Sequence, residues 1–294
     1  MAWKPGHKLK GDRYVIERTL GRGRSAITYL AYDDKVKVKK VKKRLVIKTL
    51  SDEVLLQLQH DPNAIAKLQD KLFQEATKLA KCQHRHVVRC VGDPFRERDG
   101  NQERVCVPME YIAGVDLASL PQKHLSETDA LHYIRQIGEA LICVHSQGLL
   151  HRDIKPENIL VRHGSKEAVL IDFDLARETD MPLSSRRDIS DGFAPVELYL
   201  TSLPLDARTD VYSLAATLYY LVTGEIPPTA EQRQVNPSQY LLVEPKNFNS
   251  NLSDRLNKAI LYGMALEPGA RPENIKDWLK ELGIRGKISV STLK

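Results

Sequence analysis

Residues 151–158 have the sequence HRDIKPEN, which is the most informative stretch of the chain. An acid, Asp153, is followed by Lys155 and then by an amide, Asn158, in one loop before a short predicted strand. Phosphoryl transfer needs an acceptor for a hydroxyl proton, a cation near the transferred group and an oxygen ligand for Mg²⁺. The alternative is a polar turn that contains a proline. We favour phosphoryl transfer, because this loop holds all three components.

A second acid follows the next predicted strand. Residues 169–171 are apolar, and Asp172 comes directly after them in the sequence DFD. A carboxylate at a strand end, close in sequence to Asn158, suits a hard cation that takes oxygen ligands. The sequence therefore predicts that Asn158 and Asp172 hold Mg²⁺.

Two glycines, a lysine and a glutamate in the first hundred residues indicate binding of nucleotide phosphates. Gly21 and Gly23 lie between two β-prone runs, where glycine lets backbone N–H groups approach phosphates. A tight turn with positive φ would explain these glycines about as well. Lys48 ends an apolar strand, and alone it would be taken as an ordinary surface lysine. Glu75 lies on a predicted helix, where it could hold the ammonium group of Lys48 in place.

Strands precede helices along the chain. The predicted strands of the first part are residues 14–20, 27–32, 44–50 and 105–110, with an amphipathic helix over 64–80 and a shorter one within 51–61. Beyond Gly114, the predicted helices are 126–146, 210–222 and 273–282, and the predicted strands are 159–161 and 169–171. This order predicts an α+β protein with a β-rich N-terminal lobe, a helical C-terminal lobe and a cleft where they meet.

Composition excludes several classes of protein. With 42% hydrophobic and 28% charged residues in 294, the chain has enough apolar residues for a core. The longest apolar runs are shorter than the ~20 residues that cross a bilayer, and no apolar stretch follows the lysine-rich residues 1–10, so neither a membrane span nor a secretory signal is predicted. The 4 cysteines are widely separated. We expect reduced thiols and a cytoplasmic protein.

The formal net charge of +6 is concentrated in residues 35–44, which contain seven lysines and arginines. Such a cluster can attract nucleic acid, acidic lipid or an acidic partner. Its cations alternate with Val36, Val38 and Val41, as expected for a solvated β-hairpin. We favour the hairpin and expect no nucleic-acid partner. A basic nucleic-acid-binding module would instead predict salt-sensitive binding in which ATP plays no part.

The ordered series of Gly21 and Gly23, Lys48, Glu75, Asp153, Asn158 and Asp172 resembles the motif set of eukaryotic-type (Hanks-type) serine/threonine protein kinases. A lysine two residues after the aspartate, as in Lys155, is typical of the serine/threonine branch of the family, because tyrosine kinases usually lack a lysine at that position. The resemblance covers about residues 12–283 and implies the bilobal protein kinase fold in a single domain. Its expected parts are an N-lobe at about 12–108, a hinge at about 109–115, a C-lobe at about 116–284 and a tail at 285–294. The amino-acid sequence of residues 192–219 resembles that of bacterial, particularly cyanobacterial, members of this kinase family.

The resemblance implies a role for each matching residue. The catalytic residues would be Asp153, which accepts the hydroxyl proton, with Lys155, Lys48 and Glu75. The metal ligands would be Asn158 and Asp172, for Mg²⁺ or alternatively Mn²⁺. The residues around ATP would be Leu20, Gly21, Gly23, Thr28, Val46, Lys48, Met109, Glu110, Ile112, Asp116 and Leu160. Met109 would be the gatekeeper, and Asp116 would either reach the ribose or cap a helix.

The resemblance also implies ATP and a protein substrate as partners, and phosphorylation of one copy by another. Glu197 would pair with Arg271 as a structural bridge. Ser190 would steady Asp153. Thr179, Ser184 and Ser185 are the candidate phosphorylation sites, because Arg152 could recruit a phosphate on that segment.

Three positions depart from the family pattern: Asp174 and Ala26 replace glycines, and Val46 replaces a smaller residue above adenine. None removes a group that performs chemistry. They leave a pseudokinase-like nucleotide-binding scaffold as the alternative to an active serine/threonine kinase. A small-molecule phosphotransferase of the aminoglycoside kinase type is disfavoured by Arg152 and Lys155, and by Glu197 with Arg271.

Overall fold

The computed structural model describes residues 3–23, 26–38, 41–100, 102–173, 192–200 and 203–284. These residues form two units: 3–82 with 88–112, and 83–87 with 113–173 and the described residues from 192 onward. The first unit is rich in strands and the second in helices, which confirms the predicted fold class. The chain passes from the first unit to the second after Ile112, inside the segment predicted as a hinge. The predicted tail lies outside the described residues.

The first unit is built on an antiparallel sheet, six-stranded in the described residues, with the order β1-β2-β3-β4-β6-β5. Its strands are β1 (Lys8–Leu9), β2 (Tyr14–Arg22), β3 (Ala26–Val38), β4 (Val41–Leu50), β5 (Phe95–Asp99) and β6 (Gln102–Glu110). The sequence patterns missed β1 and β5. β1 has only two residues, and β5 carries charged residues in place of an apolar alternation, so its pairing with β6 forms it.

One face of this sheet carries the hydrophobic core of the first unit. The buried residues of that core are Trp3, Leu9, Tyr14, Ile16, Ile27, Tyr29, Ala31, Leu45, Ile47, Phe95 and Cys106. Side chains alternate between faces along a strand, so the neighbours of these residues lie on the opposite face. Thr28, Lys48 and Val107 are opposite one another in β3, β4 and β6, and they share that second face.

Two helices complete the first unit. α1 (Asp52–Gln57) is capped by Ser51 and lies within the predicted range 51–61. α2 (Pro62–Lys81) matches the predicted amphipathic helix, and Asp61 caps it while Pro62 occupies its first position, where a missing N–H costs nothing.

The second unit combines a small sheet with a bundle of helices. Its sheet has the order β7-β8-β9 in the described residues, and its strands are β7 (Gly114–Asp116), β8 (Ile159–Arg162) and β9 (Ala168–Leu170). Its helices are α3 (Glu127–Ser146), α4 (Ala207–Thr223), α5 (Ala230–Val235), α6 (Pro245–Phe248), α7 (Asp254–Gly263) and α8 (Ile275–Glu281). The predicted α3, α4 and α8 are confirmed, and α4 is buried along almost its whole length. α5, α6 and α7 were not predicted.

Residues 83–87 follow α2 in sequence but belong to the second unit, where they lie against β9. The imidazole Nδ1 of His86 is 2.7 Å from the Ala168 carbonyl oxygen. The N–H of Leu170 donates to the His86 carbonyl at 2.8 Å, and Val87 forms a parallel bridge with Leu170. This segment therefore covers the outer edge of β9.

The described residues of the basic cluster, 35–38 and 41–44, lie in β3 and β4 of the predicted hairpin, with Lys37 opposite Lys42. The ammonium of Lys42 lies 2.6 Å from an Asp34 carboxylate oxygen and 4.1 Å from the centre of the Tyr32 ring. Acidic side chains thus balance part of this charge. In the described part of the chain, we find no helix that has both the length and the apolar character needed to span a bilayer.

Candidate active site

The loop before β8 brings Asp153, Lys155 and Asn158 together, as the sequence predicted. The Lys155 ammonium lies 3.1 Å from Oδ2 of Asp153. The Asn158 amide donates to that same oxygen at 2.8 Å and to the Asp153 backbone carbonyl at 2.7 Å. Two donors therefore fix the orientation of the carboxylate. The other polar atom of the Asn158 amide, Oδ1, is of the kind that binds hard cations.

His151 connects this loop to the segment that carries Asp172. Its side chain is completely buried, and burial lowers its pKa, so the ring is neutral at pH 7. A carbonyl can only accept, so Nε2–H donates to the Ile171 carbonyl at 2.9 Å. Nδ1 is then the acceptor, and it receives the backbone N–H of Asp153 at 3.3 Å. One neutral imidazole thus holds the backbone of Asp153 and of the residue before Asp172.

Asp210, at the start of α4, holds the other side of the loop. It is completely buried. Its Oδ2 accepts from His145 Nε2 at 2.7 Å and from the His151 N–H at 2.9 Å, and its Oδ1 accepts from the Arg152 N–H at 2.9 Å. Burial alone would raise the pKa of Asp210, but the hydrogen bond from His145 and the nearby His151 lower it below its usual value. Asp210 is therefore a carboxylate that anchors the loop backbone.

Two residues of this site have left-handed backbone. Arg152 has φ 68° and Asp172 has φ 59°, and neither is a glycine. Such a conformation costs about 1–2 kcal/mol for a residue with a side chain, and it persists only where surrounding bonds hold it. For Arg152, the hydrogen bond from its N–H to Asp210 supplies that restraint.

Asp172 is exposed at the end of the strand that Ile171 continues, while the next residue, Phe173, is buried. The Phe173 ring lies 4.6 Å from the His151 ring, centre to centre, and anchors the backbone next to Asp172. The described residues contain no group of three or more His, Cys, Asp or Glu side chains able to hold a metal ion. The oxygen donors of Asn158 and Asp172 suit Mg²⁺, which commonly takes one or two protein ligands and completes its shell with phosphates and waters.

The second face of the large sheet carries several of the predicted nucleotide residues of the first unit, including Thr28, Val46 and Lys48. Thr28 is opposite both Gly21 and Lys48 in the register, and Val46 is opposite Met109. Lys48 is buried, with only 6% of its surface exposed, so it is not the ordinary surface lysine of the alternative interpretation. Leu20 is partly exposed in β2, beside the glycines.

The two glycines lack the backbone conformation that the turn interpretation expected, although the Gly23 N–H donates to the Ala26 carbonyl oxygen at 2.9 Å across the hairpin. Neither Gly21 nor Gly23 has a positive φ. Among the described residues, a Cβ on Gly21 would meet no atom within 4 Å, and one on Gly23 would meet only the Ala26 carbonyl oxygen, at 3.4 Å. The described part of the fold therefore does not require glycine at either position.

Met109, Glu110 and Ile112 lie at the C-terminal end of residues 88–112, the second segment of the first unit. Met109 and Ile112 are buried. The N–H of Glu110 donates to the Arg89 carbonyl at 2.8 Å, and the Glu110 side chain accepts from the Arg89 N–H at 3.0 Å. Glu75 lies half-buried on α2 in the same unit.

In the second unit, Asp116 and Leu160 are opposite each other in β7 and β8. The two oxygens of Asp116 accept from the N–H and the hydroxyl of Ser119, at 2.8 and 2.9 Å. Asp116 therefore caps the 3-10 helix Leu117–Ser119, which was one of the two predicted roles.

A family model described as the protein kinase domain matches residues 14–282. The chain belongs to the protein kinase family. This confirms the resemblance, and the kinase domain covers nearly the range expected from the motifs. Kinases of this family use ATP with a divalent metal ion.

The kinase domain is similar to curated bacterial proteins over part of their length. It is 29% identical over 290 residues to a probable serine/threonine-protein kinase of Clostridium perfringens, covering 94% of this chain and 38% of that protein. It is 31% identical over 265 residues to the serine/threonine-protein kinase PknE of Mycobacterium bovis, covering 88% of this chain and 43% of that protein. The chain thus spans about two fifths of these relatives. The solved structure "PpkA-294 apo form" has the same fold, with a TM-score of 0.73, 24% identity and coverage of 96% and 99%.

The predicted bridge of the kinase domain between Glu197 and Arg271 is confirmed. The guanidinium of Arg271 binds both carboxylate oxygens of Glu197, at 2.6 and 3.0 Å, and both side chains are buried. Arg271 also donates to the carbonyls of Ala265 and Leu266, each at 2.7 Å. The expectations for Asp174, Thr179, Ser184, Ser185 and Ser190 lie outside the described residues.

Sequence patterns missed two residues that hold the 151–158 loop, His145 and Asp210. Asp210 was assigned to an apolar helix without a role. Its charge inside an otherwise apolar run was the available signal, because an acid is rarely fully buried without partners. His145 gives no such signal, since it lies at the polar end of α3.

Proposed function

We propose that this kinase domain transfers the γ-phosphoryl group of Mg-ATP to a serine or threonine hydroxyl of a protein. The observation that carries the proposal is the Asp153 carboxylate, held between the ammonium of Lys155 at 3.1 Å and the amide of Asn158 at 2.8 Å. A fixed carboxylate beside a cation can orient a hydroxyl, accept its proton and leave the cation next to the transferred phosphoryl group.

Two observations support nucleotide binding by the first unit. Gly21 and Gly23 are glycines that the fold does not require, and the buried Lys48 shares the second face of the sheet with Thr28. We assign Lys48 to the phosphates, with Glu75 as its partner. Leu20, Thr28, Val46, Met109, Glu110, Ile112 and Leu160 are assigned to the remaining contacts with ATP, while Asp116 is assigned to its helix cap.

We assign the metal to Asn158 and Asp172, with Mg²⁺ as the expected ion and Mn²⁺ as a substitute. When bound, the ion would neutralise charge on the ATP phosphates. The residues themselves have a different task. His151 binds the backbone before Asp172 and packs against Phe173 after it, which restrains the segment that carries this carboxylate.

Lys155 and the relatives named as serine/threonine kinases support a serine or threonine acceptor. We also expect one copy of the kinase to phosphorylate a second copy. All the cysteines in the chain are free thiols, which supports a reducing compartment such as the cytoplasm.

The test is a transfer assay with γ-labelled ATP, Mg²⁺ and a generic protein substrate, followed by identification of the labelled amino acid. Asp153→Asn should lower transfer by at least about 100-fold. Asp254→Asn is the matched control, because Asp254 is a largely exposed acid on α7, and it should leave transfer unchanged.

Label on serine or threonine that disappears in Asp153→Asn supports the proposal. A wild-type chain that binds ATP but transfers nothing would identify a nucleotide-binding scaffold instead. Equal transfer by wild type and Asp153→Asn would mean that Asp153 is not the base.

A further inference from the structure

Gln69 is a buried polar residue on α2 that the proposed chemistry does not use. Only 2% of its surface is exposed. Its Nε2 donates to the Glu103 carbonyl at 2.8 Å, and its Oε1 accepts from the Val105 N–H at 2.8 Å. Since a carbonyl only accepts and an N–H only donates, the orientation of this amide is fixed.

The register of the sheet explains why a glutamine lies there. The pairing of β4 with β6 stops at Thr49 opposite Cys106, while β6 itself extends back to Gln102. In an antiparallel strand, alternate residues direct their N–H and C=O groups to the same side. Val107, which faces Lys48, therefore shares its side with Val105 and Glu103. Beyond the last β4–β6 pair, the side-chain amide of Gln69 makes the hydrogen bonds to β6 that a further residue of β4 would otherwise make.

This arrangement fixes α2 relative to β4, the strand that contains Lys48. Lys48 pairs with Val107 of β6, and Gln69 forms a hydrogen bond with Val105 of β6, two residues away. Glu75 lies six residues after Gln69, which corresponds to about 9 Å along a helix with a rise of 1.5 Å per residue. A second contact supports the same register, because Asp70 pairs with Arg96 on β5 and Arg96 is opposite Val105. Sliding α2 along the sheet would break both contacts.

We propose that Gln69 is a positioning residue for phosphoryl transfer. By continuing the β6 ladder with its side chain, it sets the register of α2 against the sheet and thereby places Glu75 relative to Lys48. The inference rests on the proposed function, in which Glu75 holds the Lys48 ammonium for ATP. Gln69 touches neither substrate nor nucleotide in this assignment and acts only through Glu75.

The test is a double-mutant cycle on kcat and on KM for ATP. Gln69→Leu keeps the approximate volume but leaves the Val105 N–H and the Glu103 carbonyl without their partner. We expect kcat to fall about tenfold in the wild-type background and less than about twofold when Glu75→Gln is already present. Gln74→Leu is the matched control, because Gln74 is an exposed glutamine on the same helix, and it should leave kcat unchanged. Circular dichroism melting confirms that each variant is folded at the assay temperature.

Gln69→Glu gives a second readout, which also applies if Gln69→Leu does not fold. A carboxylate can accept from Val105 but opposes the Glu103 carbonyl, whereas a protonated carboxyl restores both hydrogen bonds. Its kcat relative to wild type should therefore rise as the pH decreases from about 8 to 6, since burial raises the pKa of a carboxyl group.

The outcomes separate the inference from the proposed function. A tenfold loss that is confined to the background with Glu75 supports the positioning role. The same factor in both backgrounds overturns it, as does unchanged kcat in a folded Gln69→Leu or a flat pH ratio for Gln69→Glu. An inactive wild-type chain would refute the proposed function, and the positioning role with it.

Discussion

Replacing Asp210 with asparagine should weaken the second unit and misplace Asp153. The side-chain amide introduced by Asp210→Asn keeps the volume but has only one oxygen for the three donors that Asp210 accepts, from His145, His151 and Arg152. If that oxygen keeps two donors, each bond loses about 1 kcal/mol of charge assistance, and the third N–H is left unpaired at a cost of about 1–3 kcal/mol. Removing a buried charge offsets part of this loss. We therefore expect the free energy of unfolding to fall by about 2–4 kcal/mol.

The same change should lower activity beyond its effect on stability. Without the restraint on its N–H, Arg152 can leave its left-handed conformation, which alone costs about 1–2 kcal/mol to maintain. Asp153 follows directly in the chain, and a displacement of about 1 Å at a reacting group can lower the rate about 100-fold. We expect kcat of folded Asp210→Asn to fall by about 10–100-fold.

Urea unfolding followed by the fluorescence of the buried Trp278 measures the first effect, and transfer assays in the absence of urea measure the second. Thr209→Val is the matched control. Thr209 is buried next to Asp210, and its hydroxyl has no hydrogen-bond partner among the described residues. This variant should be as stable as wild type or slightly more stable. The reasoning is refuted if Asp210→Asn lies within about 0.5 kcal/mol of wild type, or if it is destabilised but retains its kcat.

Buried groups and the two glycines give three further predictions. Arg271→Leu leaves the buried Glu197 carboxylate unpaired and should cost about 3–5 kcal/mol of stability in urea unfolding; a loss under about 1 kcal/mol would contradict this. Burial lowers the pKa of His84, His86 and His151, so the unfolded chain binds more protons just below pH 6.5. The free energy of unfolding should therefore decrease as the pH falls below about 6.5, and His151→Asn should reduce that dependence; a flat profile between about pH 7.5 and 5.5 would rule it out. Gly21→Ala and Gly23→Ala should leave the melting temperature within about 1 °C of wild type but raise KM for ATP, because the fold has room for a methyl group and the nucleotide does not; a lower melting temperature with unchanged KM would oppose this.

Local signals carried most of what the sequence predicted correctly. The arrangement of the 151–158 loop could be predicted because Asp153, Lys155 and Asn158 are close in sequence, and the short loop brings their side chains together. α3 and α8 begin at side-chain caps, Ser126 and Asn274, and α8 is followed by Gly283, which has a positive φ. Strands with apolar alternation were equally visible, because one face of the large sheet is a core.

Other features depend on tertiary contacts or on weaker patterns. β5 exists because β6 pairs with it, since its own residues are mostly charged. α5 does have a signal: Thr229 and Gln232 form a capping box. That signal was overlooked because the helix has only six residues and little apolar periodicity. The partners of Asp210 are 58 to 65 residues away in sequence, so no local pattern indicates which groups it binds.

Residues 83–87 have a consequence for any attempt to divide this chain. A fragment starting at residue 113 would lack the backbone of His86, which accepts from Leu170, and the His86 imidazole next to the Ala168 carbonyl. The exposed β-strand in that fragment could then pair with a strand of another molecule, as uncovered sheet edges do. A soluble helical fragment would need this five-residue stretch supplied as a separate peptide or joined by a new linker.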